Sequence, residues 1–118
     1  NHRETLQCES KDGGKTWTIP HSIGVWGLPS HLLRLGDGRL VMSYGHRRKP
    51  FGVQVRLSQD SGESWSKPLS IASDGDGGDL GYPSTVELSG GRLLTVWYER
   101  MKQSPKAVLR QAEWSIES

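Results

Sequence analysis

Apolar positions along the chain alternate with polar ones or gather in runs of four to six, and Gly, Asp, Ser and Pro bound each run. That is the pattern of strands and hairpins, and helical spacing is nowhere sustained. It predicts strands near 5–9, 16–19, 31–35, 39–45, 53–58, 65–71, 84–88, 92–98 and 106–114. "GDGR" at 36–39 and "SGGR" at 89–92 supply the positive-φ residues that a tight hairpin needs, so each closes a pair of strands.

The same elements occur more than once. "SKDGGKTW" at 10–17 and "SQDSGESW" at 58–65 share the skeleton S-x-D-x-G-x-[ST]-W and start 48 residues apart. "LPSHLLRLGDGRLVMSYG" from Leu28 matches "YPSTVELSGGRLLTVWYE" from Tyr82 when Pro29 is set over Pro83 and one residue is skipped. This brings the two G-R-L triplets together at an offset of 53. Four antiparallel strands per unit of about 40–50 residues is the measure of a propeller blade. The expected fold is therefore all-β, a partial β-propeller of antiparallel four-stranded blades, about two in number. A half blade is expected over 1–22, a full blade over 23–72 and a blade lacking its last strand over 73–118.

The octapeptides read as structural. Asp12 and Asp60 lie two residues after Ser10 and Ser58 and two before Gly14 and Gly62, so a short carboxylate can accept hydrogen bonds from the N–H groups of its own turn. A carboxylate spent in that way has little capacity for proton transfer. Trp17 and Trp65 close the motif and are expected to fold back as apolar plugs, each hiding roughly 150–250 Å².

S-x-D-x-G-x-x-W is the Asp-box, the bacterial neuraminidase repeat. Two copies one blade apart, together with "GYPSTVELSGGRLLTVWYE", make the chain from Thr5 to Trp114 resemble the C-terminal blades of the six-bladed sialidase (neuraminidase) superfamily. The resemblance implies an exo-α-sialidase type of glycoside hydrolase. In that family three arginines hold the substrate carboxylate, a tyrosine assisted by a glutamate attacks the anomeric carbon, and an aspartate is acid and base. A guanidinium forks onto a carboxylate better than an ammonium does, and a neutral phenol avoids the repulsion an anionic nucleophile would meet.

Carried over, Tyr82 in "DLGYPS" takes the nucleophile's place, 17 positions before Glu99. Arg47 and Arg48 both meet the spacing of the last triad arginine, and the spacing does not choose between them. His46 beside them either orients a ligand or is a surface histidine, and Asp79 is the acidic residue expected nearest a pocket. Arg56 and Arg110 read as equivalent third-strand arginines tied to carbonyls. The family's first arginine and its acid/base aspartate have no counterpart in this chain, and the assisting glutamate has no placement. The chain alone is therefore expected to be inactive. The alternatives are a non-catalytic carbohydrate-binding or structural Asp-box module, and a truncated product with no function of its own.

Composition narrows the remaining classes. A formal charge of +2 in 118 residues, with no long run of one sign, gives no support to nucleic-acid or membrane partners. Cys8 is the sole cysteine, and Asp74, Asp76 and Asp79 lack the EF-hand spacing, so neither a metal nor another cofactor is expected. No run approaches the ~20 apolar residues that span a bilayer, and "NHRETLQCES" has no signal-peptide core. A soluble chain cut from something longer is expected, with full-length relatives secreted or periplasmic. Partners expected are a sialoside-like carbohydrate and further copies of the chain, joined through open blade edges into a homo-oligomer.

Overall fold

The computed structural model describes residues 4–103 and 106–116. In order they form β1 (Glu4–Gln7), β2 (His21–Trp26), β3 (Ser30–Arg34), β4 (Leu40–His46), β5 (Gly52–Ser58), β6 (Leu69–Ala72), β7 (Leu80–Glu87), β8 (Arg92–Arg100) and β9 (Ala107–Ser115). These nine strands make sheets of two, four and three, ordered β1-β2, β3-β4-β5-β6 and β7-β8-β9, and every pairing is antiparallel. The fold class is the expected one: all-β, in partial propeller-like blades. The ends expected at 1 and 118 lie outside the described residues.

Three expected strands are corrected. Residues 16–19 form no strand; they close the first Asp-box turn, with Thr18 N–H donating to the Glu9 carbonyl at 2.8 Å. β2 starts at His21, directly after Pro20, and β6 starts at Leu69, directly after Pro68, rather than at 65. A proline has no N–H to give a ladder, so pairing begins beyond it. β7 starts at Leu80 rather than 84, because a bulge between Gly81 and Ser84 carries the chain past Pro83.

Within the four-stranded sheet β4 is covered on both faces, so Val41 through Gly45 are all buried. Alternate residues of β4 serve opposite neighbours. Val41 joins Leu35, Val55 and Leu93 in a cluster shared with the three-stranded sheet. Met42 and Tyr44 join Val25 of β2, with Ile23 and Trp65 packed alongside, in a cluster shared with the two-stranded sheet. Two hairpin closures repeat in the same geometry: Leu35 N–H to the Arg39 carbonyl and Leu88 N–H to the Arg92 carbonyl, both at 2.8 Å and 53 residues apart.

Both Asp-box turns are wired alike. Gly14 N–H donates to Ser10 Oγ at 2.9 Å and Gly62 N–H to Ser58 Oγ at 2.8 Å. Asp12 accepts from Thr16 N–H at 2.9 Å and from the Thr16 hydroxyl at 2.6 Å. Asp60 accepts from the Ser64 N–H at 2.9 Å and from the Ser64 hydroxyl. The hydroxyl and then the amide of Thr16 hold the Asp12 carboxyl down at about 2, and those of Ser64 do the same for Asp60, also at about 2.

The tryptophans differ. Trp65 is half-buried against Met42 and Tyr44, and its indole donates to Gln7 Oε1 at 3.1 Å, while Gln7 Nε2 donates to the Gly62 carbonyl at 2.9 Å. Trp17, expected to be a plug, is 60% exposed, and its indole reaches only the Gly14 carbonyl of its own turn at 3.1 Å. The plug forms where a neighbouring sheet supplies a surface, and β1 does so for the second box alone among the described residues. Trp65→Ala is therefore expected to lower the unfolding free energy by about 2–3 kcal/mol and Trp17→Ala by about 0.5 kcal/mol or less. Urea denaturation measures both, and equal losses would contradict the difference in packing.

Candidate functional site

The C-terminal end of β4 and the N-terminal end of β7 come together although they belong to different sheets. Their backbones touch where both residues are glycine: a methyl group on Gly45 would lie 3.1 Å from the Gly81 Cα. Gly81 has φ +133°, open to glycine almost alone, and begins the bulge that shifts β7 by one residue against β8. Tyr82 follows with φ +50°, rare for a residue with a Cβ, and Pro83 has no N–H to pull the chain back into the ladder. The bulge turns Tyr82 outward, leaving its side chain 68% exposed.

Arg47, one residue beyond β4, is held against this bulge. Its Nε donates to the Leu80 carbonyl at 2.9 Å, and its guanidinium lies 5.8 Å from the centre of the Tyr82 ring. The Tyr98 ring packs on the other ring at 5.8 Å, tilted by 44°, and its hydroxyl donates to Asp79 Oδ1 at 2.7 Å. That bond to Asp79, then burial, raises the Tyr98 phenol above its ordinary value, and Arg47 opposes the rise. The Asp79 carbonyl also accepts the Arg100 N–H at 2.9 Å, so the β7 entrance is tied to β8 by backbone and side chain together. The result is a corner with a cation, an exposed phenol, a second phenol and a carboxylate.

Arg48 leaves that corner. Its guanidinium stacks 4.1 Å from the centre of the Trp26 ring, and His46 meets the same ring edge-on at 5.8 Å. His46 Nδ1 donates to the Pro50 carbonyl at 3.0 Å. Two adjacent arginines thus rest on different aromatic side chains from different sheets. The spacing that left Arg47 and Arg48 equal gives way to a geometric distinction: Arg47 is beside Tyr82 and Arg48 is beside Trp26.

Glu99 is adjacent to Tyr98 in the chain and faces the other way. It is fully buried, and its Oε1 accepts from Arg110 Nη1 at 3.1 Å and from the Trp97 indole at 3.3 Å. Arg110 also forks onto Asp74, at 2.8 and 3.2 Å, which lowers the Asp74 carboxyl. Glu99 Oε2 has no hydrogen-bond partner among the described residues. The expectation of carbonyl partners is therefore corrected for Arg110, which serves carboxylates. Arg56 does reach a carbonyl, that of Ser66 at 3.3 Å, and also the Tyr44 hydroxyl at 3.0 Å. Nor are the two arginines register-equivalent. Trp97 takes the place of Tyr44 in the repeat, and Arg110 stands opposite Trp97, whereas Arg56 stands opposite Met42, two residues along.

Trp26 and the burial of Glu99 carried no motif in the sequence, Tyr98 stood in the stretch that carries the resemblance without a role of its own, and Asp74 was weighed only against a calcium loop. The separation of Tyr82 and Glu99 does hold a clue: Leu80 pairs with Glu99 and Gly81 with Tyr98, which brings the tyrosine before the glutamate beside the Tyr82 ring. Among the described residues no group of three or more His, Cys, Asp or Glu is arranged to hold a metal ion.

The family model described as BNR repeat-like domain matches residues 1–95. A solved structure from Dyadobacter fermentans DSM 18053, described as a protein of unknown function, is similar to this chain at 33% identity and a TM-score of 0.86 over 98% of it. The chain spans 32% of that relative's length. No curated protein matches.

Backbone strain at Tyr82 has a measurable consequence. Asparagine tolerates positive φ better than tyrosine, and the exposed ring contributes little packing, so Tyr82→Asn is expected to stabilise the protein by about 0.5–1 kcal/mol. Thermal unfolding reads this directly, and a lowered Tm would show that the Tyr82 ring is a packing element instead.

Proposed function

The chain belongs to the BNR repeat-like domain family, and from that premise we propose that its Tyr82 corner is the nucleophile-and-carboxylate part of a sialidase-like glycoside hydrolase site. The observation that carries the reading is an exposed phenol, held at positive φ by a bulge, beside an arginine whose orientation is fixed by one backbone carbonyl. Such strain at an outward-facing side chain is the expense that functional positions carry. Arg47 spends its Nε on Leu80 and keeps its terminal nitrogens for a planar anion, the fork that suits a sugar carboxylate. Tyr82 Oη would attack the anomeric carbon as the glycosidic C–O bond breaks, passing its proton to a base while the departing oxygen takes one from an acid, neither of which the described residues supply. The neutral phenol would approach that carboxylate-bearing centre without charge repulsion. Asp79 and Tyr98 would line the approach, with Arg48 and His46 further out on Trp26.

A second reading, a carbohydrate-binding module without turnover, draws on a different observation. Among the described residues nothing hydrogen-bonds the Tyr82 hydroxyl, and Glu99, paired with Leu80 across the hairpin, is buried with Arg110. A phenol without a base is a weak nucleophile. The isolated chain is therefore expected to bind and not to turn over.

Titration with 2-deoxy-2,3-dehydro-N-acetylneuraminic acid, followed by amide chemical shifts, tests the proposal. Binding is expected in the native protein and in Tyr82→Phe, and is expected to weaken by at least about tenfold in Arg47→Ala. Unchanged affinity in Arg47→Ala, or no binding at all, sinks the carboxylate assignment. Steady release of phenol from a fluorogenic sialoside, lost in Tyr82→Phe, would overturn the expected silence of the chain alone.

A further inference from the structure

A second recess opens beside the Tyr82 corner, and none of the residues proposed for the corner lines it. The β4–β5 loop, the β6–β7 loop and the residues after β8 border an open, shallow recess of about 510 Å³, lined by Lys49, Pro50, Phe51, Gly75, Asp76 and Lys102 among others. Its floor is rigid for a local reason. Gly75 N–H donates to the Phe51 carbonyl at 2.9 Å, and a methyl group on Gly75 would lie 2.9 Å from that carbonyl oxygen and 2.8 Å from the Leu80 side chain. The third wall is tied down as well, because Asp76 Oδ2 accepts the Lys102 N–H at 2.9 Å.

The lining is chemically specific. Phe51 and Pro50 give an apolar base, and Lys49 and Lys102 bring two ammonium groups, neither with a carboxylate in ion-pair contact among the described residues. The Asp76 carboxylate is the one acidic group among the lining residues, and one of its oxygens is already spent on a backbone amide. An apolar face below and two lysines at the rim match a sugar ring that presents C–H groups to one side and carries an acid at its edge. The recess lies close to the corner, with Gly78 between them: a methyl group on Gly78 would lie 3.6 Å from both the Arg47 carbonyl oxygen and the Phe51 ring.

We propose that this recess is a subsite for an acidic sugar joined to the residue held at the Tyr82 corner, so that the preferred ligand is a glycan carrying two acidic sugars in succession. The inference rests on the corner taking the terminal sugar, and the recess sets what lies next to it. Lys49 and Lys102 hold the second acid, and Phe51 supports its ring.

Calorimetric titration of the full chain with two probes tests this: the methyl glycosides of N-acetylneuraminic acid and of α2,8-linked disialic acid. The disaccharide is expected to bind about tenfold more tightly than the monosaccharide. In Lys49→Ala/Lys102→Ala that ratio is expected to fall to about one with the monosaccharide affinity unchanged, while Arg47→Ala is expected to weaken both sugars. A native ratio near one, a ratio that the lysine pair does not alter, or no binding of either sugar overturns the subsite. If Arg47→Ala leaves the monosaccharide untouched while the ratio still depends on the lysines, the carboxylate role of Arg47 fails, and the recess stands as a site for an acidic sugar whose neighbour is held elsewhere than at Arg47.

Discussion

Contact between the four-stranded and three-stranded sheets decides whether a site exists at all, because Arg47 follows β4 and Tyr82 sits on β7. Leu93 enters a pocket made by Leu35, Val41 and Val55 and supplies the non-directional part of that contact. Direction comes from hydroxyl groups in the same interface. Ser43 and Thr85 share a hydrogen bond of 2.6 Å, Thr85 and Thr95 share one of 2.8 Å, and the Trp114 indole donates to Thr95 at 2.9 Å. All three hydroxyls are buried, and of these bonds the one from Ser43 to Thr85 crosses between the sheets, so shifting one sheet along the other would leave Ser43 unpaired in an apolar layer. Hydrophobic packing joins the sheets, and the hydroxyl chain fixes where along them they join.

The Asp-box acts one level below that interface. It does not touch the Tyr82 corner; it makes a turn whose carboxylate is taken up by the hydrogen bonds of Asp12 and Asp60, and those bonds lower both carboxyls. What a box contributes beyond the turn depends on its neighbour. Trp65 is covered because Gln7 of β1 clamps both its indole and the Gly62 carbonyl, whereas Trp17 has only its own loop. One motif thus yields a packed element in one place and an exposed aromatic in another.

Much of the architecture was readable from residue order. Alternation located the strands, and the glycine-bearing turns located the hairpins. The two octapeptides and the two G-R-L triplets gave the repeat, because each rests on short-range chemistry that a local segment expresses by itself. Strand starts at 21 and 69 were misplaced where the effect of Pro20 and Pro68 outweighed the apolar pattern. The site was less readable because it is tertiary. Nothing in "GHRRK" tells which guanidinium turns to Tyr82 and which to Trp26, since that choice is made by β7 and β2 arriving from distant parts of the chain. Arg56 and Arg110 look alike in sequence, yet their hairpins pair two residues out of step, so one meets a tyrosine hydroxyl and the other a buried glutamate.

The account's central claim is that docking of these two sheets holds Arg47 against Tyr82. Nuclear Overhauser effects between the Arg47 side-chain protons and the Tyr82 ring measure that placement, in the native protein and in Leu93→Ala. Strong cross-peaks in the native protein that fade in the variant, while those within the Leu80–Glu87 and Arg92–Arg100 pair persist, are the predicted result. Cross-peaks of equal strength in Leu93→Ala, or none in the native protein, would contradict it.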